Sequence, residues 1–404
     1  MIFSPFLISV SMWGFVAVAF WNVAEETGPA DLRRPAAWLS LLLSSFRNLF
    51  RQKTLALPVL LLLVPALSFF WSSDEAYWLE RTRVRLPFLV LPWAFANLPD
   101  LTRRQMQLVL YILVWALVVT CAGVMINLGL HLDEIIEGLG KGRPVPVPRS
   151  HIRFSLILAT GILAGGWLWA EGYYWRWKWE RMALAGSVIF LFACIHVLSV
   201  RSGIAGLYAV LLFSCLRFIW LTRRWKAGLI LLAFLLLVPV IAMYAVPSFR
   251  MRIDYMLWDW LQYKQNIGNH YSDSERLVSL QAGWQIWLAN PVLGTGAGDL
   301  PSAVQQVVNE RYPDYVDAPK LPHNQFIYIM ASTGLFGLIL SLAAFSAPLM
   351  TVQNRRFYLL AAFQVLAFSS FLVEYTIETS IGVTFYLFYT LWFMKMVKTQ
   401  GLAG

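Results

Sequence analysis

Three stretches carry side chains suited to moving a proton and holding an anion. The first is Pro322-His323-Asn324, which opens the apolar run QFIYIMASTGLFGL. An imidazole at a helix N-terminus is kept neutral by the helix dipole, leaving a lone pair that can accept a hydroxyl proton. That is the requirement for a general base, with a satisfied capping histidine as the simpler alternative. His131, His151 and His270 lie in polar segments and His196 in the interior of an apolar run, so none of them has this setting. The second stretch is VLSVRSGIAGLYAVLL, where Arg201 interrupts roughly forty apolar residues. A cation at bilayer depth costs about 2.5–3.5 kcal/mol, and Ser202 and Gly203 beside it leave space for a ligand to reach the guanidinium; a plain turn cation is the competing reading. The third is NPVLGTGAGDL, whose alternating Gly294, Gly296 and Gly298 let backbone N–H groups approach an anion or sugar, or simply make a tight turn. Glu374 and Glu378, one helical turn apart in FLVEYTIETSIGV, either orient an arginine or hydroxyl or pair with nearby arginines.

The rest of the chain must position these groups in a membrane. Of 404 residues, 59% are hydrophobic and 13% charged, and the mean hydropathy is +0.61. Soluble domains carry about 25% charge, so a soluble dinucleotide enzyme, a nucleic-acid module and a secreted disulfide scaffold are all excluded. The net charge of +10 then points to lipid head groups or a phosphorylated substrate. Cys121, Cys194 and Cys215 sit singly in apolar runs, as small residues packed between helices. No grouping of carboxylates, cysteines and histidines suggests a metal, and no cofactor is expected. EGYYWRWKWER, residues 171–181, reads as an interfacial aromatic belt with snorkelling cations.

Because lipid offers the backbone no hydrogen-bond partner, the apolar stretches should be helices. About twelve are expected, over 2–23, 36–50, 55–71, 84–98, 106–130, 151–171, 182–200, 202–220, 227–247, 324–349, 357–374 and 379–396, the first of them a retained span. The distribution of Lys and Arg over the short loops favours cytoplasmic N- and C-termini. An all-α polytopic protein follows, in three parts: spans over 1–247, one large extracytoplasmic loop with short helices over 248–322, and spans over 323–404. At this length the loop exceeds what a connector needs, so chemistry is expected there. Within it SDSERLVSLQAGWQIWLANP reads as a helix with Ser272, Asp273 or Ser274 as N-cap and Asn290-Pro291 as the stop. Leu277, Leu280, Trp284, Trp287 and Leu288 form a stripe for the membrane surface. GKGRPVPVPR, 140–149, is an extended linker with a positive rim.

The order of these features resembles the O-antigen ligase and polymerase superfamily of bacterial envelope glycosyltransferases. The resemblance rests on Arg276, Trp284, Asn290, Pro291, Gly294, Gly296, Gly298, His323, Asn324, Gly334 and Gly337 within residues 200–340, and the tail VEYTIETSIGVTFY resembles the ligases. It implies a GT-C-like inner-membrane enzyme that takes a glycan from undecaprenyl diphosphate on the periplasmic side. Ligases pass O-antigen to lipid A-core; polymerases and protein O-oligosaccharyltransferases are the alternatives within the superfamily.

Arginine suits a diphosphate because its planar donors match phosphate oxygens. Arg201 and Arg276 are therefore expected to hold the donor diphosphate, with Arg143, Arg149 and Arg153 contributing to the phosphates of the second lipid. His323 would take the acceptor proton, oriented by Asn324 or a glutamate, in an inverting, metal-independent displacement. Donor glycan, lipid A-core and membrane lipids are the expected partners, and nucleic acid is not. A transporter or flippase of anionic lipids is the competing class; against it, the two halves show no hydropathy symmetry.

Overall fold

A computed structural model describes residues 5–27, 35–148, 150–265, 272–315, 320–399 and 401. Among them every regular element is helical and there is no strand. Nine helices among the described residues are long and apolar enough to cross a membrane. Three more of the expected stretches are helices of 17 residues (Pro35–Arg51), 11 residues (Pro87–Asn97) and 16 residues (Tyr358–Val373).

The His151–Ala170 helix is the axis of the bundle. It is buried along nearly its whole length, against Arg103–Leu130, Glu180–Leu198, Arg201–Thr222 and Tyr358–Val373. The three cysteines are free and buried, as their apolar settings predict.

The segment between the Trp225–Ala245 and Gln325–Ser346 helices has its own small core. It comprises the helices Pro247–Lys264, Ser272–Ala289 and Leu300–Arg311. Val278, Ala282 and Ile286 pack on Leu300, Val304 and Val308 and onto Tyr328 and Ala331 at the start of the Gln325–Ser346 helix. The apolar stripe expected on the Ser272–Ala289 helix faces outward: Trp284 and Leu288 are exposed while Val278 and Ile286 are buried.

A helix break ties this segment to the bundle. At Gly334 the Gln325–Ser346 helix turns out of helical geometry, with φ 64° and ψ −164°, a region open only to glycine. The chain 290–296 supplies the missing partners there. Thr295 N–H donates to Ala331 O at 3.0 Å and Gly296 N–H to Ser332 O at 2.8 Å, while Leu335 N–H donates to Pro291 O at 2.9 Å and Phe336 N–H to Val292 O at 3.1 Å. A Cβ on Gly334 would lie 2.1 Å from Val292 O.

The three alternating glycines approach other parts of the protein closely. A Cβ at Gly294 would meet Ser332 and Thr333 backbone at 2.5 Å, and one at Gly298 would meet Asp74 O at 2.4 Å. Gly296 packs on Ser72 in the same way. The close packing accounts for their small size without a ligand.

Candidate active site

Arg201 opens the Arg201–Thr222 helix and is held in a two-point ion pair by Asp273, with Nη2 to Oδ1 at 2.6 Å. Asp273 is free to do this because Asp259, wholly buried on the preceding helix, takes over the capping. Its carboxylate accepts from Asp273 N–H at 2.9 Å and Ser274 N–H at 3.3 Å. The cap on the Asp273 and Ser274 N–H groups thus comes from a different helix. Arg276, one turn further on, pairs with Glu374 at 2.8 Å and lies 3.9 Å from Asp273. Burial pushes the Glu374 carboxyl upward, and Arg276 opposes that shift.

Arg201 and Arg276 face a cavity of about 190 Å³, lined also by Ser202, His151, Gly142 and Arg252. Arg252 was not singled out in the sequence. Its Nη1 donates to Gly142 O at 2.8 Å and its guanidinium lies 5.8 Å from the Tyr255 ring centroid. Among the described residues it forms no salt bridge. Burial and then the charge of Arg201 push its pKa down, yet a guanidinium stays protonated in proteins. Three guanidinium groups therefore meet two carboxylates, Asp273 and Glu374, leaving positive charge for an anion to neutralise. The Ser202 hydroxyl is buried at this cavity with no partner among the described residues. Gly203, by contrast, offers no ligand space, because Ser155 fills the position its Cβ would take.

His323 sits against Ser279, which is one turn beyond Arg276 on its helix. Its Nδ1 is 3.4 Å from Ser279 Oγ, which also accepts from His323 N–H at 3.3 Å and donates its own hydrogen to Arg276 O at 2.7 Å. With the serine hydrogen committed to Arg276 O, Nδ1 can donate to Ser279 Oγ, and in that tautomer Nε2 carries the lone pair; the ring also bonds to the Leu321 backbone. Burial pushes the imidazole down to about 4, with Arg276 and Lys320 adding to the effect. The neutral ring expected from the helix dipole is thus produced mainly by burial and neighbouring cations. Tyr375 meets the ring edge-on at 5.1 Å between centroids.

The other expected residues divide. Arg153 is buried close enough to Glu374 and Tyr375 to feel their charges, and its Nε donates to Thr379 Oγ1 at 3.4 Å. Asn324 caps its own helix, accepting from Phe326 N–H at 2.9 Å and Ile327 N–H at 3.1 Å, and donates to Leu372 O at 3.0 Å. Its bonds are spent there, and Ser279 holds His323 instead. Glu378 belongs to a separate buried cluster, paired with Arg85 and accepting from Gln325 Nε2 at 2.8 Å. Arg143 is exposed at the cavity's outer turn and does not line the cavity. Trp284 meets the Trp287 ring at a tilt, 4.7 Å between centroids, is exposed, and does not line the cavity. Arg149 lies outside the described residues. No group of three or more His, Cys, Asp or Glu that could hold a metal occurs among the described residues.

His151, set aside in the sequence as a loop residue, is the first residue of the central helix and lines the cavity. Its signal was weak because the Pro-rich stretch before it hides the helix start. Arg252 and Ser279 carried no signal at all: one is an arginine among six bases of a polar segment, the other a serine inside a helix.

Fold and site together define a polytopic helical membrane protein with a cationic cavity and a neutral histidine at one end of its bundle. Residues 185–342 match the family model described as O-antigen ligase, which supports a member of the O-antigen ligase and polymerase superfamily. The matched stretch includes Arg201, Arg252, Arg276, Ser279 and His323. A search of curated proteins returns no match.

Proposed function

We propose that the protein is a GT-C-like glycosyltransferase that moves O-antigen polysaccharide from undecaprenyl diphosphate to lipid A-core at the periplasmic face of the bacterial inner membrane. The observation that carries this reading is a neutral histidine against Ser279, one helical turn from an arginine of an anion-sized cavity. In the proposed step the acceptor hydroxyl oxygen attacks the anomeric carbon and its proton passes to His323 Nε2. The bond from that carbon to the phosphate oxygen breaks, with inversion, and undecaprenyl diphosphate leaves with the electron pair. Arg201, Arg252 and Arg276 neutralise the charge that develops on it, a role a divalent cation plays in other transferases. Both termini are cytoplasmic in this reading and residues 248–322 form the periplasmic segment.

The purified protein, mixed with lipid-linked O-antigen and lipid A-core in excess chelator, is expected to yield covalently joined product. Offering repeat-unit donor or peptide as acceptor in parallel separates ligase from polymerase and protein-glycosylating activity. Translocation of the donor without product would make the protein a carrier.

A further inference from the structure

A second and larger depression adjoins the arginine cavity. It measures about 500 Å³, lies between the Leu132–Gly140 and Pro247–Lys264 helices, and is lined by Met251, Tyr255, Trp258, Gly140, Lys141 and Asp254. The rim charges are matched locally, Lys141 with Glu137 at 2.5 Å and Asp254 with Arg250 at 3.8 Å, so the floor is left to Met251, Tyr255 and Trp258. The Tyr255 ring separates the two spaces. Gly142, on the wall of the arginine cavity, sits so close to it that a Cβ there would lie 2.8 Å from the ring. Arg252 lies over the same ring. Around the groove, Leu130, Leu132, Leu257 and Leu261 are exposed, as on a surface that rests in lipid.

We propose that this groove holds the first isoprene units of the donor lipid while its diphosphate occupies the arginine cavity. The inference rests on the glycosyl-diphosphate reading above and adds a place for the tail. Order along the site decides the occupant. His323 adjoins Arg276 through Ser279, Arg276 shares the cavity with Arg201 and Arg252, and the groove begins beyond Arg252. A lipid-linked donor runs sugar, phosphate, phosphate, isoprenoid. With the reacting carbon at His323, the isoprenoid falls at the groove. A saccharide there would put the reacting carbon at the wrong end.

The test is a binding ladder on the full-length protein in detergent, with inorganic diphosphate, geranyl diphosphate and undecaprenyl diphosphate as probes. Burying two isoprene units should tighten geranyl over inorganic diphosphate by at least about tenfold. Met251→Ser is expected to remove most of that gain and leave inorganic diphosphate within about twofold of wild type; Trp258→Ser, at the far end of the groove, should do the same should the first variant fold poorly. A gain that survives in both variants overturns the proposal, as does displacement of geranyl diphosphate by free O-antigen saccharide in wild type but not in the variants. No glycan transfer enters the ladder, so a failed transfer assay sinks the glycosyltransferase reading separately.

Discussion

Ser279 Oγ lies 3.4 Å from Nδ1 of His323 and gives its own hydrogen to the carbonyl of Arg276. One hydroxyl thereby touches the histidine ring and links it to the turn that carries an arginine of the cavity. Ser279 acts through His323 and is a positioning residue. Ser279→Ala should lower kcat about tenfold with little change in donor KM, whereas His323→Ala should lower it by about 10²–10⁴. Steady-state transfer rates separate the two. Equal losses in both variants would show that the serine does more than orient the ring.

The pH profile follows from the depressed imidazole. Its pKa of about 4 keeps Nε2 unprotonated through the neutral range. Transfer should therefore be flat from about pH 8 to 5 and fall only below that as the ring takes up a proton. The sign for stability is the same: an unfolded histidine protonates near 6.5 and this one does not, so the unfolded state binds more protons and stability drops as pH falls through the window between those values. Arg276→Gln removes one of the two named cations and should move the acid limb of the kcat/KM profile to higher pH. An unmoved limb in that variant would mean that Arg276 contributes nothing to the shift.

Arg252 offers the sharpest separation of binding from structure, since Arg201 and Arg276 each hold a carboxylate that truncation would strand. Removing an unpaired cation leaves no such orphan. Arg252→Gln should weaken inorganic diphosphate binding about tenfold with a thermal midpoint close to wild type, and Arg252→Lys should restore part of the affinity. Arg201→Gln is expected to lower both, because Asp273 then loses its partner. Calorimetric titration and thermal unfolding, run side by side, read the two effects.

The helical membrane class was legible because it needs only composition and run length, and His323, Arg201 and Arg276 because a polar residue in or beside an apolar run stands out against its background. What stayed hidden was set by contacts between distant segments. Nothing local marks Asp259 as the cap of the next helix, or Ser279 as the partner of a residue 44 positions on. The glycine run misled for a related reason. Small residues signal close approach, and the sequence does not say whether the approaching atoms belong to a ligand or, as here, to Ser332 of the broken helix and to Ser72 and Asp74. Asn324 and Glu378 were near the right place in the chain but are held by Leu372 and Arg85, partners that only the packed helices bring to them.

The break at Gly334 makes a prediction about folding that reaches the active site. Its backbone angles exclude a side chain, and a Cβ would be driven onto Val292 O. The same four hydrogen bonds that satisfy the break anchor 290–296, which follows directly on the helix bearing Arg276 and Ser279. Gly334→Ala should therefore cost roughly 3 kcal/mol or more through strain at a glycine-only conformation and the lost loop contacts, and it should lower transfer even in the fraction that folds, since the arginine and serine would no longer be held against His323. Gly166→Ala is the control: it sits in the His151–Ala170 helix with nothing within 4 Å of its Cβ position, and alanine is the better helix former by about 1 kcal/mol. Thermal unfolding in detergent should show a large loss for the first and no loss for the second. Equal midpoints for the two variants would show that the helix can close at Gly334 without the loop, and the positioning argument for Arg276 would fail with it.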